Sequence, residues 1–276
     1  MLTSFIKDNP DVRERFAKEF IKPPFSVTKP LLAPPLSKRY SLIGTAFDYL
    51  LRFRLSRLNP QTIQPHRWIA EEAVDHLEDA PAMFSKAKAI IASAKANMAT
   101  FLQSGDVSEE LIESALKLAT IDPIARFGIG MENLGVIHDV DIQELRSLSS
   151  LVNERDFTAQ NLCLLNPTFG SASTLVDGAD ADLIIDESII DIKTIKDLKL
   201  ERSAFDQIMG YYVLHLLGEV GTLSPKPHIS KVAIYFSRYG YLHQMSLSEI
   251  VNPATFPAFL RWFEGRAKEE WPPFAD

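Results

Sequence analysis

Apolar residues recur along this chain at two spacings, one near 3.6 and one of two, and the switch between them falls near residue 155. Asn9 before Pro10 marks a helix start that runs to about Ile21. Pro23, Pro24, Pro30, Pro34 and Pro35 then rule out regular hydrogen-bonded structure and predict an extended arm. Leu42, Ala46, Tyr49, Leu50 and Phe53 share a helical stripe, which predicts a helix over 40–58. The pattern stays helical from His66 to Val152, in segments 68–77, 82–102, 108–119 and 140–151, with turn signals at Pro81, 104–106, Asp122-Pro123 and 128–130. Period-two segments follow at 160–176, 181–186 and 189–194. A helix over 201–217, strands over 231–238 and 241–246 and a last helix over 253–268 complete the chain.

Helix, three strands, helix and two strands predict an α/β chain of the α+β kind. Its mixed sheet is flanked by helices, with Val232, Ile234 and Phe236 as alternating apolar positions of a central strand. We expect four parts: an N-terminal helix and Pro-rich arm (1–39), a first core helix (40–58), a helical insertion (59–155) and the core with its C-terminal helix (156–276). The insertion is expected to form a lid, a channel wall or an oligomer contact.

Within the sheet, Asp191-Ile192-Lys193 puts a carboxylate and an ammonium on one face of an apolar strand, with Ile190, Ile192 and Thr194 on the other. Asp182-Leu-Ile-Ile185 reads as its hairpin partner. With Glu187 and Ser188 as a two-residue loop, 186 pairs with 189, so Asp182 lies across from Lys193 and diagonal to Asp191. Asp180 shares the face one pair farther away, which favours Asp182 as the second carboxylate. Two carboxylates beside a lysine suit magnesium, or manganese in its stead, because a hard cation takes oxygen ligands and leaves positions for water and phosphate. Asp182 and Asp191 are the expected metal ligands, the Ile192 carbonyl adds a third oxygen, and Lys193 orients or activates water and stabilises charge on a phosphate.

This arrangement resembles the PD-(D/E)XK nuclease superfamily, whose pattern is an acidic residue opening one strand and an acidic-x-Lys on the next. Ala181 stands where the family name has proline. Gln207 and Tyr211, four apart on one helix face, resemble the Gln-x-x-x-Tyr signature of the RecB-like branch, in which the helix after the catalytic hairpin lines the active site. Gly44 and Asp48 resemble the Gly-x-x-x-acid helix of that branch. The resemblance covers the helix over 40–58 and the stretch from about 160 to 246. It implies a restriction-endonuclease-like core and a magnesium-dependent deoxyribonuclease, with Lys193, Gln207 and Tyr211 catalytic and Asp48 an outer metal ligand. The implied settings are recombination, repair, phage replication or defence, with exonuclease action among the modes of cutting. No helicase motif is present, so a helicase or a recombination or defence protein would be the partner that supplies opened DNA. The contrasting expectation is an inactive module of the same fold that binds nucleic acid or protein. More ordinary roles also exist: a solvated charged ladder, core aromatics at Tyr211 and Tyr212, and a surface amide at Gln207.

Charge changes this picture by its distribution. The net charge is −7, yet residues 1–60 hold eleven basic against five acidic side chains and the rest hold 18 against 31. Lys196, Lys199 and Arg202 flank the hairpin, and with Arg52 they are the expected nucleic-acid contacts. Only one cysteine occurs, Cys163 in an apolar run, which excludes a disulfide framework and a cysteine-ligated cluster within the chain and reads as a buried thiol. The six histidines show no ligand spacing, and His215, on the Gln207 helix, is the one nearest the expected chemistry. No apolar stretch approaches a membrane span and no signal region opens the chain, so a cytoplasmic protein is expected, with a homo-oligomer among its allowed states.

Overall fold

A computed structural model describes residues 1–65, 67–127, 131–221 and 223–271. His66 and the turn expected at 128–130 lie outside the described residues. The strands are β1 (Cys163–Leu165), β2 (Leu183–Ile185), β3 (Ser188–Lys193), β4 (Lys231–Phe236) and β5 (Tyr241–Ser246), hydrogen-bonded in that order into one five-stranded sheet. β3 and β4 run parallel and every other pair antiparallel, so the sheet is mixed and the chain is α+β, as expected.

Helices α1 (Leu2–Asp8), α2 (Pro10–Glu19), α3 (Tyr40–Leu58), α4 (Ile69–Asp75), α5 (Pro81–Ser104), α6 (Glu109–Ala119), α7 (Asp122–Phe127) and α8 (Asp139–Ser150) precede the sheet. α9 (Ser171–Thr174) lies between β1 and β2, and α10 (Arg202–Leu217) carries the crossover from β3 to β4. α11 (Leu247–Ile250) and α12 (Phe256–Glu270) close the chain. The Asp122-Pro123 turn is thus the start of a short helix, and α1 is a helix that periodicity did not predict. The strand expected over 160–176 shrinks to three residues. Asn166 takes a left-handed φ of 51°, Pro167 cannot donate to a ladder, and Gly170, with φ 53°, caps α9.

Both faces of the sheet are covered. Leu183, Ile185, Ile190, Ala233 and Tyr235 pack against α3 and the helices of the 59–155 segment in one apolar cluster. Ile184, Ile189, Val232, Ile234 and Phe236 pack against α1, α2, α10 and α12 in a second. The 59–155 segment therefore completes a core layer around α3, which the expectation of a lid did not include. The Pro-rich arm is extended but tied down: Leu32 and Ala33 donate to the Arg238 carbonyl, both at 3.1 Å, and Leu36 and Ser37 donate to Glu144 at 2.7 and 2.6 Å. Among the described residues, no helix is long and apolar enough to cross a membrane.

Candidate active site

The hairpin that carries the charges closes one step earlier than expected. Ile185 pairs with Ser188 around Asp186-Glu187, where the expected loop was Glu187-Ser188. Asp186 holds a left-handed φ of 48°, which aspartate tolerates. Its carboxylate also accepts the backbone N–H groups of Gln160, Asn161 and Leu162 at 2.9, 2.8 and 3.0 Å, and these contacts fix the turn. The register is displaced by two residues, so every side chain keeps its expected face. Continued one step beyond β2, it sets Asp182 level with Asp191 instead of Lys193. Accordingly the Ile192 N–H donates to Asp182 Oδ2 at 2.6 Å.

Asp191 is 1% exposed. A strand face open to water was the ordinary alternative for this ladder, and α10 covers that face instead. Lys193 Nζ lies 3.1 Å from Asp191 Oδ1 and 2.8 Å from Oδ2, and it donates to Gln207 Oε1 at 2.9 Å. Gln207 Nε2 in turn donates to the Tyr211 hydroxyl oxygen at 2.7 Å. One helical turn of α10 thus extends the strand's ion pair into a four-residue chain, as the spacing of Gln207 and Tyr211 required.

The electrostatics are those of a site with excess negative charge. Burial, then the charges of Asp191 and Asp48, raise the Asp182 carboxyl well above the usual carboxylate range, against the pull of Lys193 and the Ile192 N–H. Burial raises Asp191 too, with Lys193 opposing it. For Lys193, burial favours the neutral amine, but Asp191 and Asp182 outweigh it and hold the ammonium above its ordinary value. Burial and the same two aspartates push the Tyr211 phenol well up. Two neighbouring carboxyls that bind protons too tightly are short of positive charge, and their donor atoms are hard oxygens.

Asp48 joins this field from α3, but its Oδ2 accepts from Arg52 Nη2 at 2.5 Å. Among the described residues no group of three His, Cys, Asp or Glu side chains is spaced to hold an ion, so Asp48 does not complete a carboxylate cage with the strand pair. Gly44, one turn earlier, faces Thr194, and an added Cβ there would meet it at an ordinary 3.9 Å.

The expected nucleic-acid contacts divide. Lys196 and Lys199 are exposed on the loop after β3, Lys199 lying 3.6 Å from Asp197. Arg202 is half-buried and bound to Asp206, at 3.0 and 2.7 Å, and to the Phe20 carbonyl. Arg52 is a correction. It is buried, paired with Asp48 and seated 4.6 Å from the Tyr49 ring centroid, which leaves it no access to a phosphate chain. Its i, i+4 spacing from Asp48 was the available signal. Cys163 is buried, as expected, and His215 is buried on α10 without joining the chain of Lys193, Gln207 and Tyr211. No family model, curated protein or solved structure matches this chain.

Proposed function

We propose that this protein is a divalent-cation-dependent nuclease of the PD-(D/E)XK kind, RecB-like branch, hydrolysing phosphodiester bonds in DNA. The observation that carries the reading is the placement of Lys193 Nζ between Asp191 and Gln207, with Asp182 level across the hairpin. Asp191 is buried, and Asp182 and Lys193 are partly buried beside it, so two carboxylates face one ammonium and the cluster has one negative charge in excess, which a bound cation would offset. The resemblance in sequence and the order of helix, three strands, helix and two strands support the same reading.

Asp182, Asp191 and the Ile192 carbonyl would hold magnesium, a partial oxygen shell that suits an ion which keeps several waters and shares substrate phosphate oxygens. Once bound, the ion would supply Lewis acidity toward the phosphate and lower the pKa of a water. Without a bound ion, Asp191 and Asp182 outweigh burial and favour the ammonium form of Lys193. As an ammonium it would donate hydrogen bonds to a phosphate oxygen or to the attacking water. Gln207 accepts one hydrogen bond from Lys193 Nζ and Asp191 another, which together restrain where the ammonium points, and the Tyr211 hydroxyl oxygen holds Gln207 by accepting from its Nε2. Arg52 neutralises Asp48 at the edge of the site.

The test is incubation with labelled linear, circular and single-stranded DNA in magnesium, in manganese and in EDTA, beside Lys193→Ala. Cation-dependent cleavage that disappears in the variant is expected. DNA bound equally by both proteins and cut by neither would instead assign a binding module.

A further inference from the structure

A cavity of about 440 Å3 opens between α1, α2 and α10, and one of its walls is made by Lys193 and Gln207 themselves. Its volume falls in the range of small-ligand pockets, roughly 300–1,000 Å3. Ile6 and Ala204 give it an apolar floor, and Lys7 and Arg13 stand exposed at its rim. Asp206 is the acid in its lining, and Arg202 already binds both of that carboxylate's oxygens. Neither Lys7 nor Arg13 enters an ion pair among the described residues, and Arg13 donates only to the Lys7 carbonyl, at 3.0 Å. The basic N-terminal segment thus delivers two uncompensated cations to the mouth of the candidate site, although the chain as a whole is acidic.

The wall that carries them is built into the fold. Gly210 of α10 lets α1 approach so closely that an added Cβ would stand 2.9 Å from a Leu2 methyl and 3.2 Å from one of Ile6. Arg266 of α12 holds the α1–α2 junction through Asp11 at 2.8 Å and Asn9 at 2.6 Å.

We propose that this groove seats one nucleotide of an unpaired DNA strand, its base on Ile6 and Ala204 and its phosphates against Lys7 and Arg13, next to the phosphate presented to Lys193. This rests on the nuclease reading and narrows its substrate to a strand with an unstacked base. A base stacked inside a duplex cannot lie on the apolar floor between α1 and α10 without being flipped out, whereas a single strand offers both its apolar face and its phosphates.

The experiment uses the full chain in EDTA and measures fluorescence anisotropy of a fluorescein-labelled single-stranded oligonucleotide and of its duplex. Lys7→Gln/Arg13→Gln, at exposed positions, is expected to weaken single-strand binding roughly tenfold and to lower the slope of log affinity against log salt by about 1.4, at about 0.7 per strand phosphate contact. Ala204→Leu fills the floor, keeps every charge, and is expected to weaken single-strand binding while leaving duplex binding unchanged. Unchanged single-strand affinity in the double variant, an equal loss on single strand and duplex, or no binding by the wild type overturns the inference. The two readings fail separately. Strand binding that depends on Lys7 and Arg13, without cleavage by the wild type in magnesium, removes the nuclease and keeps the groove. Cleavage lost in Lys193→Ala, with strand binding indifferent to Lys7 and Arg13, removes the groove and keeps the nuclease.

Discussion

Asp182 binds its proton more tightly than an ordinary carboxyl because the folded chain surrounds its charge with low dielectric, Asp191 and Asp48. An acid whose pKa is raised by folding is protonated in both states below the unfolded value, about 3.9, and there it has no effect on stability. As pH rises through the folded value, its ionisation weakens the fold. Asp182→Asn removes that ionisation and keeps an oxygen for the Ile192 N–H. In EDTA at neutral pH the variant is expected to melt a few degrees above the wild type, with the difference vanishing in acid, while cleavage in magnesium is lost. Differential scanning calorimetry and a nicking assay on the same preparation check both halves.

His215 gives the opposite sign. Burial, then the charge of Lys226, lowers its pKa from 6.5 to about 4, a direction that His228 supports and the Pro227 backbone opposes. A base with a depressed folded pKa contributes its full stability above the unfolded value and loses it as pH falls from about 6.5 toward 4. The loss is on the order of 3 kcal/mol across that window, at 1.36 kcal/mol per unit. Urea unfolding at pH 7 and pH 4.5 is expected to show a smaller pH difference for His215→Met than for the wild type.

At the scale of elements, the sequence patterns differ in how far they constrain the outcome. Period two assigns faces, so Asp182, Asp191 and Lys193 are legible as one cluster. It cannot separate registers two residues apart, and here the Asp186 carboxylate decides by capping three backbone N–H groups. Helices α3, α5, α6 and α10 are legible because each is long enough for its stripe to repeat. α1 is not legible. It has seven residues and no side-chain cap, and it holds its conformation by packing on α10 at Gly210 and through Phe5 against Phe263 and Trp271. Arg52 escapes a sequence reading for a related reason: its i, i+4 spacing offers Asp48 as a partner but does not say that the pair lies inside. Gly210→Val tests the close approach. Its branched side chain must displace Leu2 and Ile6, which is expected to cost roughly 1–3 kcal/mol. Amide exchange should then quicken across residues 2–8 more than across α6.

At the scale of the molecule, the site depends on parts that are distant in sequence. The Lys193 end of β3 lies beside the Ser237–Tyr239 turn that follows β4, where Ser237 Oγ and Thr194 Oγ1 are 2.9 Å apart. The next residue, Arg238, is fully buried. It binds Glu144 of α8 at 2.5 Å and the Ala33 carbonyl of the arm at 3.0 Å, while Glu144 accepts the Leu36 and Ser37 N–H groups. One buried ion pair therefore joins the arm, the helical layer and the sheet, and no local pattern could announce it because Glu144 and Arg238 are 94 residues apart. Removing one partner and removing both should have different effects. Glu144→Ala leaves the buried Arg238 guanidinium without its counter-charge and the Leu36 and Ser37 N–H groups without their acceptor, a loss expected to cost about 3–5 kcal/mol. Glu144→Leu/Arg238→Met, which removes both charges and keeps the volume, is expected to recover much of that loss in denaturant unfolding. Because the arm's two N–H groups donate to Glu144, the recovered protein should show faster exchange at Leu36 and Ser37 than the wild type. The ion pair would then matter chiefly for holding the arm against the sheet beside the Lys193 turn, and less for global stability.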